Sequence, residues 1–289
     1  GVLWNRDGLL RRDGDRLEAR MATRTVTVHG TGEASPEPHA VTQTPYLGFA
    51  LSGPVGLSSG RPRSLDEIGA ILERRAAEHD QRAERYGALA EVHRAIQGCL
   101  AWDTIWEPEK GRVVTPVARG WNINWGGFAL FEWDTYFAAY IASLDSKELA
   151  YANAVEITRA KTERGFVLNF ATRDGLSSRD RSQPPVGSIV IRELYRRFGD
   201  RWLLEEVFED LLEWNRWWPP HRGVDGLLAW GSDPYEPLAD AFYEIQGVND
   251  VQGAAYESGL DNSPMYDGVP FDARTHRTLL ADVGLSALY

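Results

Sequence analysis

Apolar residues recur every three or four positions through most of the chain after residue 88, a spacing typical of amphipathic helices. Between Leu89 and Leu100 this period predicts a helix that runs to Pro108. A last helix is expected from about Asp272 to Tyr289. Four segments between them follow the same pattern: FALFEWDTYFAAYIASL, SKELAYANAVEITRAKTERG, VGSIVIRELYRRFG and DRWLLEEVFEDLLEWNRWW.

Several helix ends carry residues that favour them. Gly165 and Gly199 close two of the predicted helices, and Asp200 is a candidate N-cap of the next. We expect Pro219 and Pro220 to stop that helix, because proline lacks the N–H group that a helix interior needs. Since no strands alternate with these helices, the pattern favours an all-α layered or toroidal architecture over a parallel α/β sheet. Functional residues are then expected in the loops at one end.

The first 63 residues follow a different pattern, rich in Gly, Pro, Thr and Val. RTVTVHG, Arg24 to Gly30, predicts a strand, and VTQTPYLGFALSG predicts one or two more. Ser64 and Glu67 have the spacing of a capping box, which predicts a charged helix with a thin apolar side. The chain therefore divides into the remainder of an N-terminal β domain (1–63), a linker helix (64–87) and a helical domain (88–289).

Composition and charge narrow the class of protein. The chain of 289 residues is 43% hydrophobic, enough for one large core or two smaller ones. Its formal net charge of −11 argues against nucleic acid or an anionic membrane as a partner and favours a neutral or cationic substrate. No apolar run approaches the roughly 20 residues of a membrane helix, and no basic-then-apolar leader opens the chain. We expect a soluble protein and favour the cytoplasm over secretion; the pattern predicts no oligomeric state.

Neither a metal nor a cofactor is expected. Cys99 is the single cysteine and lies in an apolar helical pattern, where a packed thiol is expected rather than a nucleophile. The six histidines are scattered without metal-ligand spacing, which favours surface or helix positions for each. They are His29, His39, His79, His93, His221 and His276.

Aromatic residues suggest a ligand. Most of the 11 tryptophans are expected in the core, because each buries a large apolar area. Some lie beside polar or Gly-rich residues instead: Trp121, Trp125, Trp133 and Trp230. A sugar ring needs a flat apolar face bordered by hydrogen-bonding groups, so carbohydrate becomes a candidate ligand.

Three polar segments carry candidate chemistry. In WNINWGGFALFEWDTYF, Trp121 to Phe137, Asp134 is interpreted either as an acceptor for ligand hydroxyls or as half of a structural pair with an arginine. In RDRSQPP, Arg179 to Pro185, the choice lies between ligand contact by Arg181 and Gln183 and a loop that only leads into a helix. ESGLDNSPMYD, Glu257 to Asp267, is either a solvated turn-rich loop or the holder of a carboxyl group for proton transfer, Asp261.

Taken together, these segments resemble glycoside hydrolase family 63 and, more loosely, the family 37 trehalases. GGFALFEWDTYF is similar to the Gly-Gly-Phe, Glu, Trp-Asp, Tyr-Phe block of those enzymes, RSQPP to their Arg-Ser-Gln-Pro-Pro element, and ESGLDNSPMYD to their Glu-Ser-Gly-x-Asp segment. The resemblance covers about Leu89 to Tyr289. It implies an (α/α)6 barrel preceded by a β-sandwich domain, and cleavage of an α-glycosidic bond with inversion.

The resemblance also implies roles for individual residues. It makes Asp261 the general acid, and its candidate substrate-binding residues are Trp133, Asp134, Arg181 and Gln183. Trp125, Trp230, Glu257 and Gly259 complete our set of candidate substrate-binding residues. Glu257 is not interpreted as the general base, because it is only four residues from Asp261; it is expected either to bind substrate or to orient the loop.

Inverting hydrolysis needs a protonated acid and an ionised base about 6.5–9.5 Å apart. A carboxyl group beside Leu260 and Pro264 is expected to have a raised pKa, which suits the acid. In family 63 the base is a glutamate in the later part of the barrel, and this chain ends in what resembles a middle helix. We therefore expect residues 88–289 to be the first half of a barrel, the base to be missing from this chain, and the chain alone to show little hydrolysis.

Two other readings remain open. A noncatalytic carbohydrate-binding protein would need the same aromatic platforms and polar loops, and another helical-toroid enzyme, such as a lyase or phosphorylase, would share the architecture. The enzymes that the chain resembles act on α-glucosides and α-mannosides, including oligosaccharides and glycosyl-glycerates. We favour a neutral α-glucoside, because an acidic protein would accept a glycerate only if Arg119, Arg179 or Arg181 gathered in the pocket.

Overall fold

A computed structural model describes residues 8–21, 24–35, 45–122, 125–235 and 249–289. The chain forms two compact units, and the smaller one comprises Gly1–Gly98 and Trp106–Gly111. The larger unit comprises Cys99–Ile105 and Arg112–Tyr289. The three-part division of the sequence at residues 63 and 87 stays a prediction.

The smaller unit contains a four-stranded antiparallel sheet whose strands are neighbours in chain order. RTVTVHG lies in the third strand, as predicted, and Leu17 of the second strand lies opposite Val28. The described part of VTQTPYLGFALSG, from residue 45, forms only a single bridge, Ala34 to Phe49, so no strand forms there. Phe49 instead packs onto the backbone of Gly30, where a Cβ atom would meet its ring. The strands are β1 (Leu9–Asp13), β2 (Arg16–Met21), β3 (Arg24–Thr31) and β4 (Gly56–Ser59).

Helix α1 (Leu65–Glu84) follows this sheet and begins with the predicted capping box. The Glu67 N–H donates to Ser64 Oγ at 3.1 Å, and the Ser64 N–H donates to Glu67 Oε2 at 2.9 Å. Ala83 is its buried residue, which agrees with the thin apolar side. The next helix, α2 (Ala90–Asp103), ends before Pro108, because the strand β5 (Ile105–Glu107) replaces its predicted last turn.

The larger unit is mainly helical. Its core is built from residues that are fully buried between the helices, among them Leu130, Tyr136, Ile157, Leu194 and Trp218. Short strands separate some of the helices: β6 (Arg112–Val114), β7 (Ala129–Phe131) and β8 (Phe170–Thr172). The helices are α3 (Glu132–Ala142), α4 (Lys147–Thr158), α5 (Gly187–Phe198), α6 (Arg201–Arg222), α7 (Val251–Ser258) and α8 (Val283–Leu288).

Helix ends agree only in part with the sequence pattern. Gly199 ends α5 in the left-handed region, with φ 73°. Asp200 is the N-cap of α6, although its side chain bonds Lys147 and Tyr151 instead of the helix N–H groups. The predicted stop at Pro219 and Pro220 is wrong, because α6 continues to Arg222, whose side chain is held by buried partners.

A second four-stranded sheet corrects the expectation that this part of the chain has no strands. Its order is β11-β12-β10-β9. Asp225 and Gly226, both with positive φ, make the two-residue turn between β9 and β10, and Asp-Gly is a typical sequence for such a hairpin. The helix predicted from Asp272 to Tyr289 forms only over Val283–Leu288, and its first part is wrong, since Arg277–Ala281 pairs with its neighbours as a strand. The strands are β9 (Gly223–Val224), β10 (Leu227–Gly231), β11 (Phe271–Asp272) and β12 (Arg277–Ala281).

Candidate active site

A cavity of about 280 Å³ lies in the larger unit, a size suited to a small ligand. The described residues of its wall are five aromatic and five polar side chains. The aromatic residues are Trp121, Trp125, Phe131, Phe170 and Tyr256, and the polar ones are Asn122, Asn169, Arg181, Gln183 and Asp261. Five residues singled out in the sequence are therefore brought together here: Trp121, Trp125, Arg181, Gln183 and Asp261.

The aromatic wall is positioned by the pairing of β7 with β8. Phe131 and Phe170 lie opposite each other in the register of these strands. The Trp125 ring stacks on Phe170 with centroids 4.9 Å apart and planes 7° apart. Trp121 meets Phe131 edge to face at 5.0 Å. This corner offers flat apolar faces of the kind that the C–H face of a sugar can cover.

Two amide side chains supply polar groups beside these rings. Asn169 lies just before β8 and donates from Nδ2 to the Tyr256 carbonyl at 3.2 Å. Gln183 is only 5% exposed, and its Oε1 atom has no hydrogen-bond partner among the described residues. A buried amide oxygen without a partner is costly, so this atom is a ready acceptor for a ligand hydroxyl group.

Arg181 is the cation of the described cavity lining. Its Nη1 donates to Asp180 Oδ2 at 2.7 Å, and both side chains are buried. The guanidinium also lies over the Tyr256 ring, 5.0 Å from its centroid. Arg119 and Arg179 do not line the cavity. The positive charge at the cavity is therefore already balanced by a neighbouring carboxylate.

Asp261 lies two residues after Gly259, which ends α7 in the left-handed region with φ 69°. Although Asp261 is an exposed residue overall, partial burial of its carboxyl group raises its pKa, and the nearby Arg181 charge opposes this rise. Burial also raises the pKa of Asp134, and the charge of Asp261 raises it further. Two carboxyl groups in one neighbourhood thus both favour the protonated form more than an exposed aspartate does.

Neither Trp133 nor Gly259 belongs to the described cavity lining. A Cβ atom on Gly259 would come within 2.5 Å of the Trp133 ring, so the indole packs directly on the glycine backbone. Asp134, next in the chain, is half-buried and does not line the cavity either. These three residues therefore bring the start of α3 against the loop that carries Asp261.

Trp230 and Glu257 do not belong to the described cavity lining either. Trp230, in β10, is 4% exposed and meets Trp218 edge to face at 6.2 Å. Glu257 is fully buried and accepts hydrogen bonds from Arg222 and from the backbone of Ser182 and Gly231. Burial raises the pKa of the Glu257 carboxyl, and its Arg222 partner opposes the rise. Both side chains are packed within the protein, and their role in binding stays a prediction.

Sequence reasoning missed several lining residues. Asn169 and Phe170 belong to FVLNFAT, where an asparagine among apolar residues was the available signal. Tyr256 directly precedes the Glu257 segment but carried no signal of its own. Glu132, the first residue of α3, does not line the cavity. It is fully buried, and neither of its carboxyl oxygens has a hydrogen-bond partner among the described residues.

Within the described ranges, no group of three or more His, Cys, Asp or Glu side chains could hold a metal ion. No helix in the described part of the chain combines the length and the apolar character needed to cross a bilayer.

Comparison with known proteins adds a family and a structural likeness. No curated protein matches the chain. A solved structure, the crystal structure of an uncharacterized conserved protein from Thermus thermophilus, is similar at 20% identity with a TM-score of 0.43. The match covers 61% of this chain and 40% of that one, so the chain spans well under half the length of this relative.

The family model of the mannosylglycerate hydrolase MGH1-like glycoside hydrolase domain matches residues 128–282. This range is more than half of the chain, and it contains the three motif segments from Phe128 onward, with Arg181, Gln183 and Asp261 among them. It agrees with the resemblance to the family 63 enzymes that these motifs carry. The chain therefore belongs to the family of mannosylglycerate hydrolase MGH1-like glycoside hydrolase domains.

Proposed function

We propose that the cavity binds the sugar of a neutral α-glycoside and that Asp261 is the general acid of an inverting hydrolysis. One observation carries the proposal: Asp261 is the carboxyl group of a lining that otherwise consists of aromatic rings, amides and a paired arginine. Partial burial raises the pKa of this carboxyl, which favours the protonated form that an acid catalyst requires.

The wall chemistry supports sugar as the ligand. The stacked Trp125 and Phe170 rings offer an apolar face, while the Gln183 Oε1 atom and the Asn169 amide can hydrogen-bond hydroxyl groups at its rim. We propose that Asp134, which follows the tryptophan that packs on Gly259, accepts a hydrogen bond from a further hydroxyl. Trp133 and Gly259 then act by holding this arrangement together.

In the proposed reaction, Asp261 donates its proton to the glycosidic oxygen as the bond from that oxygen to the anomeric carbon breaks. Water attacks the opposite face of the same carbon, and a second carboxylate takes the proton of that water. No other Asp or Glu belongs to the described cavity lining. The proposed site thus has an acid among its described residues, and the base is assigned to a carboxylate beyond them.

The charges favour a neutral substrate over a glycosyl-glycerate. Arg181 is neutralised by Asp180 at 2.7 Å, and the net charge of the chain is −11. An anionic aglycone would meet no unbalanced cation in the described lining. Among neutral substrates we favour an α-glucoside over an α-mannoside.

We further propose that the helices α3 to α8 belong to an (α/α)6 barrel, of which residues 88–289 form the first half, and that residues 1–63 belong to a β-sandwich joined by the helix within 64–87. The antiparallel sheet β1 to β4 and the succession of packed helices support this assignment. In such a barrel the cavity would lie at the end where the loops carrying Arg181 and Asp261 meet.

The test replaces the unassigned base with azide, a small anion that can attack the anomeric carbon directly. The chain is incubated with phenyl α-glucoside and sodium azide, and the products are followed by NMR. We expect β-glucosyl azide from the unaltered chain and a loss of about 10²–10⁴-fold for Asp261→Asn, the usual contribution of general acid catalysis. The loss should be smaller with p-nitrophenyl α-glucoside, whose leaving group needs less protonation.

Asp267→Asn is the matched control, because Asp267 is an exposed carboxyl in the same loop that does not line the cavity. It should react as the unaltered chain does. Equal rates for Asp261→Asn and Asp267→Asn would exclude Asp261 as the acid, and an α-configured azide would exclude inversion.

A noncatalytic sugar-binding protein is the alternative, favoured by the single carboxyl group in the described lining. In that case glucose or a glucoside bound in the cavity would quench the fluorescence of Trp125, and no glucosyl azide would form. Asp261→Asn would then leave the sugar-binding curve unchanged, and there would be no azide reaction for it to slow.

A further inference from the structure

Arg222, the last residue of α6, is fully buried and uses all five of its N–H groups. Nε and Nη2 donate to the two oxygens of Glu257 at 2.5 and 2.8 Å. Nη1 donates to Asp233 Oδ1 at 2.6 Å and to the His221 carbonyl at 3.1 Å. The second Nη2 hydrogen reaches the Asp180 carbonyl at 3.3 Å.

Glu257 extends this cluster to the backbone on both sides. Its Oε1 accepts the Ser182 N–H at 3.0 Å, and its Oε2 accepts the Gly231 N–H at 2.7 Å. Ser182 stands between two residues of the cavity wall, Arg181 and Gln183. Glu257 in turn stands four residues before Asp261, so one carboxylate joins the two segments that supply these polar groups.

Asp180 makes a second link between the cluster and the cavity. Its carbonyl accepts from Arg222 and from the Asp233 N–H at 2.6 Å. Its Oδ2 accepts from Arg181 Nη1 at 2.7 Å and from Ser232 Oγ at 2.6 Å. Asp180 therefore holds the Arg181 side chain through its carboxylate, while its carbonyl is held by Arg222.

We infer that Arg222 is a positioning residue, which holds the segments Asp180–Gln183 and Glu257–Asp261 in register so that Arg181, Gln183 and Asp261 face one space. Its effect on binding and turnover rests on the proposed function, whereas its effect on the two segments does not. A buried ion cluster is a weak source of stability compared with apolar packing, but its directional bonds fix backbone geometry. Lysine cannot reproduce those bonds, because it lacks the planar fork of the guanidinium.

The test compares Arg222→Lys with Leu203→Ala, a core variant on the same helix whose side chain is fully buried and lies outside the cluster. Glu257→Gln removes the charge but keeps the shape, and it serves if Arg222→Lys does not fold. The first measurement is hydrogen exchange of the full chain. For Arg222→Lys and Glu257→Gln we expect the Ser182 and Gly231 amides to exchange at least tenfold faster, with α4 unchanged; Leu203→Ala should not show this pattern.

The second measurement is glucose affinity by fluorescence titration together with the azide reaction. Relative to the unaltered chain, Arg222→Lys should bind glucose about tenfold more weakly and should react still more slowly with azide. Leu203→Ala, compared at the same loss of melting temperature, should show smaller losses in both affinity and rate. If Arg222→Lys exchanges like Leu203→Ala at both amides, the inference is overturned. If the exchange result holds but the unaltered chain binds no sugar, the proposed function fails and the positioning of the two segments stands.

Discussion

Glu132, the first residue of α3, is a buried carboxyl whose pKa is raised well above its usual value, chiefly by burial and secondarily by the charge of Asp134. An ionised carboxylate without partners is among the costliest groups to bury. Because neither oxygen has a hydrogen-bond partner among the described residues, the neutral acid is the form that fits this site. The folded protein therefore binds a proton here that the unfolded chain releases at a lower pH.

This residue gives a pH prediction with a definite sign. Above the usual glutamate pKa the unfolded chain loses the proton while the folded protein keeps it, so the free energy of unfolding falls as pH rises, by about 1.4 kcal/mol per unit of pKa shift. Urea unfolding of the unaltered chain at about pH 5 and about pH 8 should show this fall. Glu132→Gln should make the fall smaller, because glutamine does not titrate, while Asp134, Glu257 and Asp261 keep their raised pKa values.

Glu148→Gln is the control for Glu132→Gln, since Glu148 is an exposed first-turn residue of the neighbouring helix α4. It should leave the pH dependence unchanged. A pH dependence that is the same in all three proteins would mean that Glu132 keeps an ordinary pKa.

At the scale of elements, the C-terminal end of α7 meets the start of α3 through one glycine. Gly259 has φ 69°, and its missing side chain leaves the space that the Trp133 ring fills. A methyl group there would both strain the backbone and displace the indole. The packing of Trp133 thus depends on a residue that does not itself line the cavity.

We predict that Gly259→Ala lowers the free energy of unfolding by about 2–5 kcal/mol, the sum of about 1–2 kcal/mol for the left-handed backbone and about 1–3 kcal/mol for overpacking. Its affinity for glucose should fall as well, because the Asp261 loop must move. Gly268→Ala is the matched control: Gly268 has φ 72°, and no atom lies within 4 Å of a Cβ built there. It should show only the backbone cost, about 1–2 kcal/mol, with unchanged affinity. Equal losses in both variants would mean that Trp133 gives way freely.

Two elements differ from the sequence pattern for physical reasons that lie outside the local window. Helix α6 continues through Pro219 and Pro220, which lie in its last turn, only two residues before its end. Its last residue, Arg222, is held in place by buried contacts such as its bond to Glu257. The segment RTLLA has apolar residues that fit a helix, but it pairs with β10 as a strand. In both cases contacts with residues distant in the sequence outweighed the structure that the local sequence favours.

At the scale of the whole molecule, the net charge of −11 acts on any charged ligand before contact. We predict that glucosyl-glycerate binds more weakly than phenyl α-glucoside in about 20 mM NaCl and that the difference narrows in about 300 mM NaCl, as screening shortens the range of repulsion. Titration calorimetry at both salt concentrations measures this. Tighter binding of the glycerate at low salt would mean that a cation outside the described lining faces the site.

The sequence by itself determined the mainly helical character of residues beyond 88, the capping box at Ser64 and the three motif segments, because these depend on residues only a few positions apart. It also singled out Arg181, Gln183 and Asp261, which the motifs mark individually. Tertiary structure alone decided that these three share a cavity with Asn169, Phe170 and Tyr256. It also turned Glu257 inward to Ser182, 75 positions away, because such contacts depend on packing between distant segments that no local pattern encodes.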